Sequence, residues 1–252
     1  MNHKTALFNY CLRLGDQALI HSYRLSEWCS NAPILEEDLA LTNFALDNLG
    51  CAQALLKYAG EVEGNNQTED DLAYKRGERR FLNALITELP NGDFAFSTLR
   101  NFLLSAYEME LYTALLKSND TTLAAIAAKT IKEVKYHYAH ASDWVLRLGD
   151  GTPESHTRMQ NALNKIWPFV DDMFTMHPDF HTLVDLGIAV DSESLKPIWE
   201  QKVNALLAEA TLTIPTTGHK QHGSTQGIHT EYLGPILCQM QYLQRAYPDA
   251  QW

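Results

Sequence analysis

Apolar residues recur at three- and four-residue intervals along most of the chain. Nowhere do they alternate with polar residues over the length of a strand, so the pattern predicts helices throughout. The first helix is expected from about Thr5 to Cys29, packing through Leu7, Tyr10, Leu14, Leu25 and Trp28. Asn31-Ala32-Pro33 stops it, because proline lacks the N–H that would continue the ladder but suits the start of a new helix. The second helix is expected to run to Ala59 and end at Gly60, which makes the pair a hairpin. After a loop at Gly64-Asn65-Asn66, Thr68 and Asp71 have the spacing of a cap that opens a helix reaching about Leu89. Pro90-Asn91-Gly92-Asp93 breaks the chain before a second hairpin, with helices over about Phe94–Lys117 and Thr121–Leu148. Gly149 to Pro153 ends the last of these.

Two hairpins joined by one long crossover define an all-α, ferritin-like four-helix bundle. We expect one domain over residues 1–252, with the bundle in about 4–149 and additional C-terminal helices in about 155–252. Those helices are predicted over Ser155–Met176, Glu193–Ala210 and Thr230–Tyr247, with Pro168 kinking or splitting the first. Thr213 to Gly227 turns to Thr, Gly, Gln and His and reads as a mobile loop.

The second helix has no continuous polar face. Leu39, Leu46, Leu49 and Leu56 cover one side, and Leu41, Phe44, Ala45 and Leu55 the other. The third, with Leu99, Phe102, Leu103, Leu104, Met109, Leu111 and Leu115, is similar. Such helices must be buried all round, either by the C-terminal helices or by a second subunit.

Composition narrows the partners. A formal charge of −11 argues against nucleic acid and anionic membranes, both of which call for a basic face. The longest apolar stretch, Leu39 to Ala59, contains Thr42, Asn43, Asp47, Asn48 and Gln53, too many polar groups for lipid. Asn9, Arg13 and Asp16 interrupt any signal-peptide core. Cys11, Cys29, Cys51 and Cys238 form no Cys-x-x-Cys pair and read as reduced, buried thiols, so a cytoplasmic protein is expected.

The candidate chemistry is a metal centre left incomplete. A carboxylate-bridged di-iron site draws a Glu from each of two helices and a Glu-x-x-His pair from each of two others. The inward set here is Asp16, Asp47, Glu108 or Glu110, and Glu133 with His137. Asp47-Asn48-Leu49-Gly50 puts glycine where an imidazole belongs, and Glu133 is followed at the third position by Tyr136, with His137 one residue late. These positions are therefore expected to be vestigial, with no metal held and no catalytic residue present. A Glu–His pair four residues apart is as naturally an internal hydrogen bond. His219, His222 and His229 cluster near the glycine-rich loop but lack carboxylate or cysteine neighbours at ligand spacing, a weak zinc or nickel signal. No phosphate-binding loop, dinucleotide fingerprint or nucleophile elbow occurs.

Several stretches together carry a resemblance. They are Leu12-Arg13-Leu14-Gly15-Asp16, Glu27-Trp28-Cys29, Asp38-Leu39-Ala40-Leu41 with Leu46-Asp47, and Ala128-Lys129 through Tyr136-His137. The tail adds His229-Thr230-Glu231-Tyr232-Leu233-Gly234-Pro235, Met240-Gln241-Tyr242-Leu243-Gln244-Arg245 and Gln251-Trp252. Over nearly its whole length the chain resembles the PaaC-type subunits of bacterial phenylacetyl-CoA 1,2-epoxidase complexes. The resemblance implies a ferritin-like, non-catalytic subunit that pairs with and stabilises a homologous A-type subunit. That partner would hold the di-iron centre, bind the coenzyme A thioester and insert one oxygen atom into the ring. A reductase with FAD and an iron–sulfur cluster would supply electrons from NADPH. A homo-oligomer in isolation stays open. The alternatives are a di-iron protein with its own oxygenase or iron-storage activity, and a helical adaptor unconnected with oxygen chemistry.

Overall fold

The computed structural model describes residues 3–216, 218–248 and 250, and among these it contains helices and turns but no strand. The Gln251-Trp252 motif lies outside the described residues. The long helices fall where the periodicity placed them: α1 is His3–Ser26, α2 Leu35–Glu63, with a short α3, Glu69–Tyr74, before α4, Phe94–Leu115, and α5, Thr121–Gly149. α1 packs along α2 and α4 along α5, the two hairpins of a ferritin-like bundle. Side-chain caps fix several starts. Asp93 accepts from the Phe96 N–H at 3.0 Å, and Asp120 from Thr122 and Leu123 at 3.0 Å. Thr68 and Asp71 form the reciprocal capping box that their spacing predicted.

α2 does not end at Gly60. It continues to Glu63 and is capped by Gly64 in the left-handed conformation, φ 73°. Gly60 serves a different need: a Cβ there would stand 2.2 Å from the Gln67 carbonyl oxygen, so the returning loop passes where any side chain would be.

The helix expected from Thr68 to Leu89 stops at Tyr74. Beyond it only two single 3₁₀ turns form, Glu78–Arg80 and Leu85–Thr87. Tertiary partners replace the helical ladder here. The Leu82 N–H is taken by Asp16 at 2.9 Å and the Leu85 N–H by Asp172 at 2.9 Å. Buried Arg100 of α4 donates to the Leu89 carbonyl and to Asn91 Oδ1, both at 2.5 Å.

The C-terminal part is α6 (Pro153–Ile166), α7 (His181–Asp185), α8 (Ser192–Glu209), α9 (Leu233–Met240) and α10 (Tyr242–Ala246). Pro168 splits the first of these as expected, since α6 passes into a 3₁₀ stretch over Trp167–Phe174. The single helix expected over Thr230–Tyr247 is two short ones broken at Gln241, whose buried amide donates to the Ala73 and Arg76 carbonyls at 3.2 and 3.0 Å. The end of the Thr213–Gly227 segment, expected as a mobile loop, is tied to the core. The Gly223 and Ser224 N–H groups donate to the fully buried Asp172 carboxylate at 3.1 and 3.3 Å, and Arg13 of α1 donates to Ser224 Oγ at 2.6 Å.

The C-terminal helices account for α4. α6 and α8 lie against it, and buried Trp199 of α8 donates its indole N–H to the Leu103 carbonyl at 3.0 Å. They do not account for α2. Leu41, Phe44, Ala45 and Leu55 are buried, whereas Leu35, Leu39, Leu46 and Leu49 are 70, 57, 59 and 42 % exposed. All four cysteines are free, but only Cys11 and Cys51 are buried. Cys29 in the turn after α1 and Cys238 on α9 are exposed, so the expectation of four buried thiols is corrected.

Candidate functional site

α2, α4 and α5 enclose a small cavity at mid-bundle, lined by Asn48, Cys51, Glu108, Tyr112, Val134 and His137, with Asp47 and Glu133 also on its wall. α1 closes the fourth side through Gln17, whose amide donates to Glu108 Oε1 at 3.3 Å. The lining can be set against the ligand spacing of a di-iron bundle. Two helices present pairs three residues apart, Asn48 with Cys51 and Val134 with His137, and the other two present single residues, Gln17 and Glu108. Four of the six positions carry side chains that are neither carboxylate nor imidazole; Glu108 and His137 alone retain the expected donor type.

Several residues singled out from sequence stand elsewhere. Asp16 faces away from the cavity. Both of its oxygens bind the Arg76 guanidinium, Oδ2 at 3.0 Å, and the pair is fully buried. Gln17, its neighbour, is the residue of α1 that points inward. Glu110 pairs with Lys202 of α8, which leaves Glu108 as the inward acid of α4. Asp47 is half-buried and sits 3.0 Å from His137 Nε2. Glu133 is half-buried at the rim of the cavity, 3.8 Å from Lys129. On α2 the inward pair is thus one residue later than Asp47 and Gly50. The signal for it was present in the stripe Phe44, Asn48, Cys51, Leu55, which keeps the helical period.

The electrostatics follow from burial. Desolvation pushes the Glu108 carboxyl up to about 7, opposed by the Gln17 amide. It pushes the Cys51 thiol up to about 11, opposed by Thr130 and Tyr112, whose hydroxyls lie 3.5 and 3.3 Å from the sulfur. Burial lowers His137, and Asp47 works against that shift. Beside this site, His21 of α1 meets Asn101 of α4 at 2.9 Å, and burial lowers it to about 3, so it is a neutral strut.

This donor set does not fit a carboxylate-bridged di-iron centre. Such a centre needs bridging carboxylates, and Glu108 is the only one deep in the cavity. Asn48 already spends its amide on the Phe44 carbonyl at 2.8 Å. The free space is about 10 Å³, about enough for one water. Among the described residues no three His, Cys, Asp or Glu side chains are grouped as metal ligands. The three C-terminal histidines do not converge either: His222 meets Thr175 at 3.2 Å, His219 meets Gln221 at 2.8 Å, and His229 is buried against Glu88.

Fold and site together define a ferritin-like helical bundle with a small mid-bundle cavity in which Glu108 and His137 are the buried carboxylate and imidazole. The chain belongs to the phenylacetic acid catabolic protein family, whose model matches residues 1–252. It is 47% identical, over 252 residues and the full length of both chains, to the C subunit of the 1,2-phenylacetyl-CoA epoxidase of Escherichia coli (strain K12). No helix among the described residues is long and apolar enough to cross a membrane.

Proposed function

We propose that this chain is the structural C-type subunit of a phenylacetyl-CoA 1,2-epoxidase, acting in aerobic phenylacetate catabolism. It pairs with a homologous A-type subunit that holds the di-iron centre and carries out ring epoxidation, and it contributes no catalytic residue. The observation that carries this reading is the mid-bundle substitution of Gln17, Asn48, Cys51 and Val134 at positions where a di-iron protein needs carboxylates and an imidazole. The full-length similarity to the bacterial epoxidase's C-type chain supports it. Electrons would come from NADPH through a reductase carrying FAD and an iron–sulfur cluster. The free thiols agree with a cytoplasmic complex.

In this role the chain's residues do packing work. Glu108 with Gln17, and His137 with Asp47, fill and cross-link the space that metals would occupy, so the bundle holds its shape with no ion in it. The test is co-expression with the A-type subunit, followed by size-exclusion chromatography, metal analysis and assay of phenylacetyl-CoA turnover. The expected result is a hetero-oligomer whose iron and turnover belong to the A-type chain. Stoichiometric iron and turnover in this chain alone would establish the di-iron alternative instead.

A further inference from the structure

Where the chain turns into α4, Asn91 and Gly92 bring an amide and a backbone nucleophile among charged neighbours. The Asn91 side chain is held at both ends. Its Oδ1 accepts from Arg100 Nη2 at 2.5 Å and lies 3.3 Å from the Ser97 hydroxyl, which also donates to the Asn91 main-chain carbonyl at 2.8 Å. Its Nδ2 donates to the Arg24 carbonyl at 2.7 Å and to Glu27 Oε2 at 3.0 Å. Arg100 is fully buried, its Nε has no hydrogen-bond partner, and among the described residues no carboxylate pairs with it. Its charge is therefore directed at Asn91 and at the Leu89 carbonyl.

The nucleophile is the next nitrogen along the chain. Gly92 is exposed, and among the described residues its N–H donates to no protein group. Its φ of 60° and the 3.1 Å that would separate a Cβ from Phe96 Cβ call for glycine, which also leaves the nitrogen uncrowded. That nitrogen can close a five-membered ring. It gives its proton to water and bonds to Asn91 Cγ, and the carbonyl electron pair moves onto Oδ1. The Cγ–Nδ2 bond then breaks, and Nδ2 takes a proton from water and leaves as ammonia. A second water opens the cyclic imide at either carbonyl, to aspartate or to isoaspartate. The sum is one water consumed and one ammonia released, with no change of oxidation state.

Two effects compete at this amide. The bonds from Nδ2 hold the starting amide in place and slow the ring closure. Those to Oδ1 tighten as it gains a full negative charge, because charge-assisted bonds are roughly twice as strong as neutral ones. Arg100 and Ser97 thus stand as an oxyanion site formed in advance, in a setting of low dielectric. Glu27 lies against the nitrogen that must gain a proton and can relay it from solvent.

We propose that Asn91–Gly92 is a self-modifying site, which converts to aspartate and isoaspartate through a cyclic imide with Arg100 and Ser97 holding the oxyanion and Glu27 serving the departing nitrogen. The proposal goes beyond the subunit assignment and does not depend on it. The aspartyl product gives Arg100 the carboxylate it lacks, and the isoaspartyl product lengthens the main chain just ahead of the Asp93 cap.

The experiment incubates the full chain, native and unfolded in urea, at one pH and temperature. Peptide mapping follows the amide-to-acid mass change at Asn91, and enzymatic methylation reports isoaspartate. The native chain is expected to convert about tenfold or more faster than the unfolded one, the gain from one strengthened oxyanion contact. Ser97→Ala and Glu27→Gln each slow the native conversion by about tenfold, with circular dichroism unchanged, and Gly92→Ala slows it in both states. A native rate at or below the unfolded rate overturns the proposal, because the same hydrogen bonds then guard the amide. That comparison needs no variant, so it holds whether or not a substitution disturbs folding. Ser97→Ala and Glu27→Gln chains that convert as fast as the wild type overturn it as well.

Discussion

His229 Nδ1 sits 2.7 Å from Glu88 Oε1, with both side chains sealed from solvent. The same carboxylate accepts from Asn83 Nδ2 at 2.9 Å and from the Thr230 N–H and hydroxyl at 2.8 and 2.6 Å. His229 Nε2 lies 2.8 Å from the Phe81 carbonyl, so both ring nitrogens face acceptors. One buried acid thus gathers the crossover between the hairpins and the segment leading into α9. The family-like stretch His229 to Pro235 is therefore a structural staple.

Removing that acid leaves several buried donors unpaired, and the penalty for orphaned buried groups exceeds the gain from any single bond. Glu88→Ala and His229→Ala are each expected to cost about 3–5 kcal/mol. Urea unfolding of the isolated chain measures this, and an unchanged midpoint in either variant would show that the staple contributes nothing.

The Asp16–Arg76 pair makes a second prediction, one that separates a structural acid from a ligand. Asp16→Asn leaves the Arg76 guanidinium buried without its counter-charge, at about 3–5 kcal/mol. Replacing both members with apolar residues recovers part of this loss, with a coupling of roughly 1–3 kcal/mol in the double-mutant cycle. Equal and additive losses would mean that the two side chains do not act together.

Glu108 ties stability to pH. In the unfolded chain a glutamate titrates near its ordinary value, roughly 4.3, while burial holds Glu108 at about 7. Below the unfolded value both states keep the proton and folding carries no penalty. Between the two values the unfolded chain releases the proton and the native one retains it, so stability falls as pH rises. Above about 7 the penalty is complete, on the order of 3 kcal/mol. Glu108→Gln keeps a partner for Gln17 and removes the charge. It should be more stable than the wild type at pH 8 by up to about 3 kcal/mol, with the gap closing as pH falls toward 5. A constant difference across that range, in urea midpoints, would contradict a buried titrating acid.

The long helices, both hairpins and the Thr68–Asp71 cap were legible in the sequence because each rests on local periodicity or on a short-range hydrogen bond. The crossover was not. Phe81, Ala84, Ile86 and Leu89 are buried without helical spacing, and the crossover is held largely by partners far along the chain, such as Asp16 for Leu82, 66 positions away, and His229 for Glu88, 141 positions away. The hold on Gly223 and Ser224 was hidden for the same reason: Asp172, which anchors them, lies 51 residues from Gly223. At the cavity the inward residues of α1, α2 and α5 stand one position after the residues picked out from sequence: Gln17 for Asp16, Asn48 for Asp47 and Val134 for Glu133. Asp16 drew attention by its charge, whereas the inward residue Gln17 is its neutral neighbour.

That phase gives the last prediction, because it says which substitutions would restore a metal centre. Gln17→Glu, Asn48→Glu, Cys51→His and Val134→Glu together, added to native Glu108 and His137, complete the four carboxylates and two imidazoles of a di-iron bundle. Without metal the variant crowds like charges into a cavity of about 10 Å³, so it is less stable than the wild type. Ferrous ion added under anaerobic conditions relieves that repulsion and binds only the folded form, so the variant's melting temperature rises with iron concentration. After desalting it should keep about two irons per chain, while the wild type keeps none and its melting temperature stays flat. Restoring Asp47 and Gly50 instead, as Asp47→Glu with Gly50→His, gives no such response, since those positions lie one step off the inward face. Iron-dependent stabilisation of the wild type would show that the native donors suffice after all, and a response from the Asp47–Gly50 pair would show that the register read from the cavity is wrong.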